Sequence, residues 1–259
     1  MKDRFPKNSR KKVPGPFFTL ALETATPVGS VSLMDGAGQG IEADLAQRSN
    51  HSRTLLPTVS VLLTQAGLTP QDLGLIVADI GPGSFTGLRI GLSAAKGLAW
   101  ALNKPLVGVH SLDVLAERFP RTHGLYCPVL DARKGEVYTA LYRVGPDKTG
   151  RLKTERLTEL LLLRPEALAG FIQEKTVFVG DGLVNYGGLL KKALGPLYRR
   201  GDEDLDFPRA SAAARLGLAR SAAGAESDPA LILPVYIRPS EAELSLTGGK
   251  APGVNENVM

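Results

Sequence analysis

The chain predicts an α/β protein of two related lobes, each a mixed sheet flanked by helices, with a cleft between them. Three observations lead there. A three-strand run followed by alternating helices and strands occurs twice along the 259 residues. Each run opens with an apolar strand that ends in an acid just before its first turn, Glu23 in the first and Asp131 in the second. A hydrophobic content of 43% over this length suffices for one large core or two modest ones.

In the first unit the apolar run 17–23 reads as a strand. Residues 28–33 make a second after the turn Thr24-Ala25-Thr26-Pro27, and 40–46 a third behind Asp35-Gly36. A helix over 52–66 follows, with Leu55, Leu56, Val59, Leu62, Leu63 and Ala66 along one side. Pro57 fits there if the helix opens near Ser52 to Thr54, since first-turn amides need no intrahelical partner. Strand 75–80, a glycine-rich turn, helix 86–102 and strand 105–109 complete the unit.

The second unit repeats the order. Strands 126–131 and 136–143, a third strand within 151–161, helix 165–173, strand 176–180 and a helix near 186–193 are expected. An alanine-rich helix over 210–223 and the segment 231–238 then close the folded part. Residues 241–259, with Gly248, Gly249, Pro252 and Gly253, read as a flexible tail. The expected division is an N-terminal lobe of 17–112, joined by the C-terminal helix at about 209–224, and a second lobe of 113–208.

Composition removes several function classes. No run of about eighteen apolar residues exists to span a membrane, and no signal-type apolar segment follows the basic N-terminus. The single cysteine, Cys127, excludes an internal disulfide framework and fits a reducing cytoplasm. With one cysteine and only His51, His110 and His123, the usual zinc spacings are missing. The formal charge of +5 resides in residues 1–16, where Lys2, Arg4, Lys7, Arg10, Lys11 and Lys12 stand against Asp3. This basic arm reads as disordered. A solvated tail is the simpler interpretation and electrostatic contact with RNA the alternative.

The most informative stretch runs from Asp79 to Gly91. Gly81 and Gly83 permit positive φ, Pro82 fixes its own backbone, and Ser84 or Thr86 is placed to cap the helix. A glycine-rich turn feeding a helix N-terminus suits a phosphate cradle. Here the lysine of a P-loop is missing and Gly-x-Gly-x-x-Gly is not matched. Glu23 and Asp131 allow two readings: they face each other across the cleft and hold a magnesium–nucleotide, or each accepts hydrogen bonds from its own turn. Ser84 directly follows Gly83, which is not a nucleophile elbow, and Cys127 sits within an apolar strand. His110 reads as a hydrogen-bonded hinge residue, so a hydrolase is not indicated.

Helix 86–102 carries a small-residue stripe, Gly87, Gly91 and Ala95, and a second row, Ala94, Gly97 and Ala101. Arg89, Ser93, Lys96 and Trp100 form its polar and aromatic edge. The stripe allows close approach either of another subunit's helix or of elements within the lobe.

Four segments in register resemble the TsaB (YeaZ-type) family. They are Leu20-Ala21-Leu22-Glu23-Thr24-Ala25-Thr26, His51-Ser52-Arg53-Thr54-Leu55-Leu56-Pro57, the stretch from Gly81 to Gly91, and Asp131-Ala132-Arg133-Lys134-Gly135-Glu136-Val137-Tyr138. The resemblance covers about residues 17–240 and implies a duplicated actin/Hsp70-like (ribonuclease H-like) fold. It further implies a cytoplasmic, non-catalytic scaffold subunit in the synthesis of N6-threonylcarbamoyladenosine at position 37 of tRNAs reading ANN codons. The implied partners are a TsaD-like catalytic subunit and a TsaE-like ATPase, with a homodimer when alone and tRNA met only through the complex. The catalytic relatives carry a His-x-x-x-His metal pair where this chain has Ser111 and Leu115, so no metal and no required cofactor are expected. Weak ATP or ADP binding is allowed, mainly in the complex, through Glu23, Thr24, Asp131 and Lys134. Glu23 departs from the aspartate of many members. The family's dimer surface maps to His51, Thr54, Leu55, Thr58, Val61 and Leu62 on the first helix. On the second it maps to Arg89, Ile90, Ser93, Ala94, Lys96, Gly97 and Trp100, which favours the subunit interpretation of the stripe. An autonomous nucleotide-dependent phosphotransferase using Glu23 and Asp131 is the alternative. A peptidase has neither a metal pair nor a triad to work with.

Overall fold

A computed structural model describes residues 17–45 and 51–238. The expected basic arm 1–16 and tail 241–259 lie outside the described residues. The first lobe runs β1 (Phe18–Glu23), β2 (Ser30–Asp35), β3 (Gly40–Asp44), α1 (His51–Gln65), β4 (Leu73–Asp79), α2 (Phe85–Leu102), β5 (Leu106–Val109) and α3 (Ser111–Glu117). Its sheet has the order β3-β2-β1-β4-β5, antiparallel among the first three strands and parallel from β1 to β5. Strands β1 and β4 are buried on both faces, which is why they read as unbroken apolar runs. Leu20, Leu22 and Ile76 pack with Leu55, Val59 and Leu92 of α1 and α2, while Ala21, Val77 and Val107 face the opposite side.

The second lobe runs β6 (Gly124–Asp131), β7 (Val137–Thr139), β8 (Tyr142–Pro146), β9 (Leu152–Arg156), β10 (Leu161–Leu163), α4 (Pro165–Leu168), β11 (Thr176–Val179), α5 (Gly182–Leu194), β12 (Tyr198–Arg200) and α6 (Ala210–Ala222). The strand expected over 136–143 is two pieces. Both β7 and β8 pair with β6 in one continuous register, Thr139 opposite Val129 and Tyr142 opposite Tyr126. They part opposite Pro128, which has no amide to donate. The third strand is likewise split into β9 and β10. Counting each split strand once, the sheet order repeats that of the first lobe, so the chain adopts the expected duplicated fold.

Two elements escaped the sequence reading, α3 and β12, and they complete the symmetry. Each lobe's last helix crosses to the other lobe. Leu112, Leu115 and Ala116 of α3 enter the core of the second sheet beside Tyr126, Leu130 and Tyr142. In return α6 lies on the first sheet, with Ala210, Ala212, Ala213 and Ala214 fully buried against Ala21, Val77 and Val107. The alanines have a steric reason: a Cβ on Gly217 of α6 would run into Val77. Asp113 of α3 ties the crossing together. It accepts from Arg220 Nη2 of α6 at 2.8 Å, from Arg156 Nη1 of β9 at 3.2 Å and from Tyr142 Oη of β8 at 2.8 Å.

Pro57 lies deeper in α1 than expected, because the helix opens at His51. Pro57 and Arg53, whose carbonyl loses its partner, are both exposed, which leaves that carbonyl accessible to solvent. After α6 the chain returns as a strap without regular structure. Ser227 O accepts from Leu106 N at 3.0 Å, and Val235 N donates to Ile80 O at 2.7 Å. Among the described residues no helix is long and apolar enough to cross a membrane.

Candidate functional site

The glycine turn brings α2 down onto the turn that follows β1. Gly81 has φ +100, and Ser84 rather than Thr86 caps α2, its Oγ accepting from Gly87 N at 3.2 Å. Ser84 N donates to Ala25 O at 2.7 Å. A Cβ at Gly83 would overlap Ala25 O, one at Gly87 would overlap Thr24 O, and one at Gly91 would overlap Thr24 Oγ1. The stripe of Gly87, Gly91 and Ala95 therefore packs inside the lobe. This corrects the interface interpretation of that stripe: the element in close approach is the β1–β2 turn, not a helix of another subunit.

Beneath the turn lies a buried carboxyl pair. Glu23 is 0% and Asp79 1% exposed. Glu23 Oε1 accepts from Ala25 N at 2.7 Å, and Asp79 Oδ1 accepts from Gly81 N and Ser111 Oγ, each at 2.7 Å. The remaining oxygens, Glu23 Oε2 and Asp79 Oδ2, have no other partner. Burial, then the neighbouring Asp79 charge, pushes Glu23 well above the ordinary carboxylate range, and burial raises Asp79 as well, so the pair keeps a proton between its two carboxyls. Ser111 thus supports the carboxyl pair. Leu115 is fully buried in the second lobe's core. His110 Nδ1 lies 3.3 Å from Gly81 O, and burial holds its pKa below the usual value. Cys127 is buried 3.2 Å from Thr139 Oγ1, its thiol pushed up to about 12 by burial. Among the described residues no three His, Cys, Asp or Glu side chains converge as a metal site.

Between the lobes opens a cleft of about 870 Å³. Of the four nucleotide candidates, Asp131 and Lys134 line it, whereas Glu23 and Thr24 are sealed in the first lobe. Asp131 has a companion that the sequence reading missed. Asp181 also lines the cleft, and its Oδ1 accepts from Asp131 N at 3.1 Å. Burial raises Asp181 to about 6. Asp131 Oδ1 accepts from Arg133 N at 2.8 Å and its Oδ2 from Asn185 Nδ2 at 3.2 Å. Arg133 and Lys134 both adopt positive φ, +63 and +55, which turns their backbone sharply at the cleft wall. The strap supplies Val235, Tyr236 and Arg238 to the same wall.

The outer faces of α1 and α2 form a separate surface. A groove of about 660 Å³ runs between them, lined by Ser52, Leu55, Leu56, Phe85, Thr86, Arg89, Ile90, Ser93 and Ala94. An apolar hollow of about 370 Å³ continues it past Leu56 to Leu63, Leu68 and Leu98. Leu56 is 50%, Val61 53% and Trp100 58% exposed. Of the interface candidates, Val61, Arg89, Ser93, Gly97 and Trp100 face out, and Thr54, Thr58, Ile90, Ala94 and Lys96 are half-buried. His51 and Leu62 point inward, and Leu55 forms the groove floor. Leu56 and Phe85, outside those candidates, also line the groove. Leu56 was counted with the core stripe of α1, and Phe85 was assigned to the turn.

Residues 31–245 match the family model described as TsaD: tRNA N6-adenosine threonylcarbamoyltransferase. The tRNA threonylcarbamoyladenosine biosynthesis protein TsaB of Bacillus subtilis is 34% identical over 86% of this chain and 95% of its own length. That of Escherichia coli is 36% identical over 63% of this chain and 71% of its own. Among solved structures, YeaZ from Pseudomonas aeruginosa aligns with a TM-score of 0.70 at 28% identity, covering 85% of this chain and 100% of that one. The chain belongs to the TsaB family.

Proposed function

We propose that this chain is a non-catalytic docking subunit in tRNA threonylcarbamoyladenosine biosynthesis, and that the outer α1–α2 surface receives a TsaD-like catalytic subunit. The observation that carries the reading is the exposed apolar groove. Leu56 in its wall is half open to solvent, and Val61 and Trp100 are exposed elsewhere on the two helices, although the lobe's core is already complete beneath. The same surface serves a homodimer when the chain is alone. A TsaE-like ATPase completes the assembly, tRNA is met through the complex, and no cofactor is required by this chain. Weak ATP or ADP binding belongs to the cleft.

The test places substitutions on outward residues only. Leu56→Glu in the groove wall and Trp100→Ala on α2 are expected to abolish co-purification with the catalytic subunit and to lower the modified nucleoside in tRNA, with thermal unfolding unchanged. Retained capture by both variants would overturn the reading. The second reading, a nucleotide-dependent phosphotransferase, draws on Asp131 and Asp181 in the cleft. Robust ATP turnover by the isolated chain, lost in Asp131→Ala, would favour it.

A further inference from the structure

The strap that closes the described chain divides its contacts between the lobes within a few residues. Ile232 is buried in the first lobe's core, and Val235 N holds Ile80 O. The Tyr236 ring lies tilted at 38° to that of Phe85, 4.9 Å between centroids, and its hydroxyl accepts from Arg89 Nε at 2.9 Å. The Arg89 guanidinium lies 3.7 Å over the Phe85 ring and 5.7 Å from that of Tyr236. The next two residues change lobe. Ile237 packs against the second lobe's core, and Arg238 pairs with the Glu136 carboxylate while donating to Arg133 O at 3.3 Å. The crossing helices α3 and α6 already join the lobes. One tie of that kind leaves a hinge, whereas a second, on the cleft wall, fixes an angle.

Phe85, Thr86, Arg89 and Ile90 line the cleft on one side and the α1–α2 groove on the other. The residue that grips Tyr236 is therefore also a groove residue. From this geometry we infer that the strap is a latch setting the aperture of the cleft, and that a partner seated in the groove releases it by drawing Arg89 away from Tyr236. The second half rests on the docking function proposed above. By linkage, a partner that loosens the latch must bind more tightly when the latch is already broken.

The experiment measures the distance between spin labels on Ala37→Cys, in the ordered β2–β3 turn, and Lys192→Cys, on α5. Both positions are exposed and the native Cys127 is buried. The latched full-length chain is expected to give one narrow distance population. Arg238→Glu should add a longer one, and the charge exchange Glu136→Arg with Arg238→Glu should remove it. Tyr236→Phe, which deletes only the hydroxyl, gives a smaller opening and serves if Arg238→Glu does not fold. Adding the catalytic subunit to the latched chain should reproduce the Arg238→Glu distribution, and Arg238→Glu should bind that subunit more tightly. Identical distributions in the latched chain and in folded Arg238→Glu or Tyr236→Phe would overturn the latch. Capture of the subunit with no change in distance would overturn the release. A latched chain that captures no subunit would instead sink the docking reading, leaving the latch to be judged from the partner-free comparison.

Discussion

Glu23 and Asp79 close β1 and β4 of the first lobe. Asp131 ends β6 of the second and Asp181 follows β11, yet only the second pair meets the cleft. The difference lies in how the following helix enters. In the first lobe the glycines at 83, 87 and 91 let α2 settle on the Thr24–Ala25 turn, which shuts both carboxyls away from water. In the second lobe Gly180 and Gly182 pack against Val129, and Asp181 stands at the head of α5 on the cleft wall. A duplicated fold has thus turned one acid pair into a structural staple and kept the other in contact with solvent. Burial decides which is which, because the cost of an unshared charge rises steeply as water is removed.

Asp79→Ala should break this contrast most severely. It strands Gly81 N, Ser111 Oγ and the Glu23 carboxyl, and is expected to cost about 3–5 kcal/mol in urea unfolding. Glu23→Gln tests the shared proton. The raised Glu23 means that the folded chain keeps a proton which the unfolded chain releases above about pH 4.3. Stability from this group is full below that value and lost as pH rises toward the folded pKa. Gln cannot ionise, so the variant should lose this decline and exceed the unmodified chain at pH 8. A variant less stable at pH 8 than the unmodified chain would overturn the shared proton.

Ser111→Ala removes one buried donor to Asp79, with an expected loss of about 1.5 kcal/mol. Asp181→Asn should have the smallest effect near pH 4, under about 1 kcal/mol, since the amide oxygen still accepts from Asp131 N and the site meets water. Its signature is in the pH profile. With Asp181 raised to about 6, the stability it contributes is present below about pH 3.9 and lost by the time pH passes about 6. The variant should lack that slope between pH 4 and 6 and run parallel above 7.

The rule that a strand ends in an acid before its turn located Glu23 and Asp131 from the chain alone. Applied to β4 it would also have found Asp79, whose place before Ile80-Gly81 carries the same signal. The apolar runs of β1 and β4 and the periodicity of α1 and α2 were legible because burial on defined faces writes itself into spacing. Short elements such as α3 and β12 offer no full period to read. The direction of the glycine stripe was hidden, since a helix tolerates small residues equally against a partner or against its own lobe. Arg89 and Tyr236, 147 positions apart, meet only through the fold.

The exchange of α3 and α6 also bears on how the chain comes into being. One face of the first sheet, carrying Ala21, Val77 and Val107, waits for residues 210–222, which are made about a hundred positions after β5 is complete. During synthesis that apolar face stays bare, with two long helices already seated on its reverse. Apolar surface left bare in this way is what makes a partly made chain prone to aggregate until α6 arrives. The lobes are separate in architecture but finish maturing together.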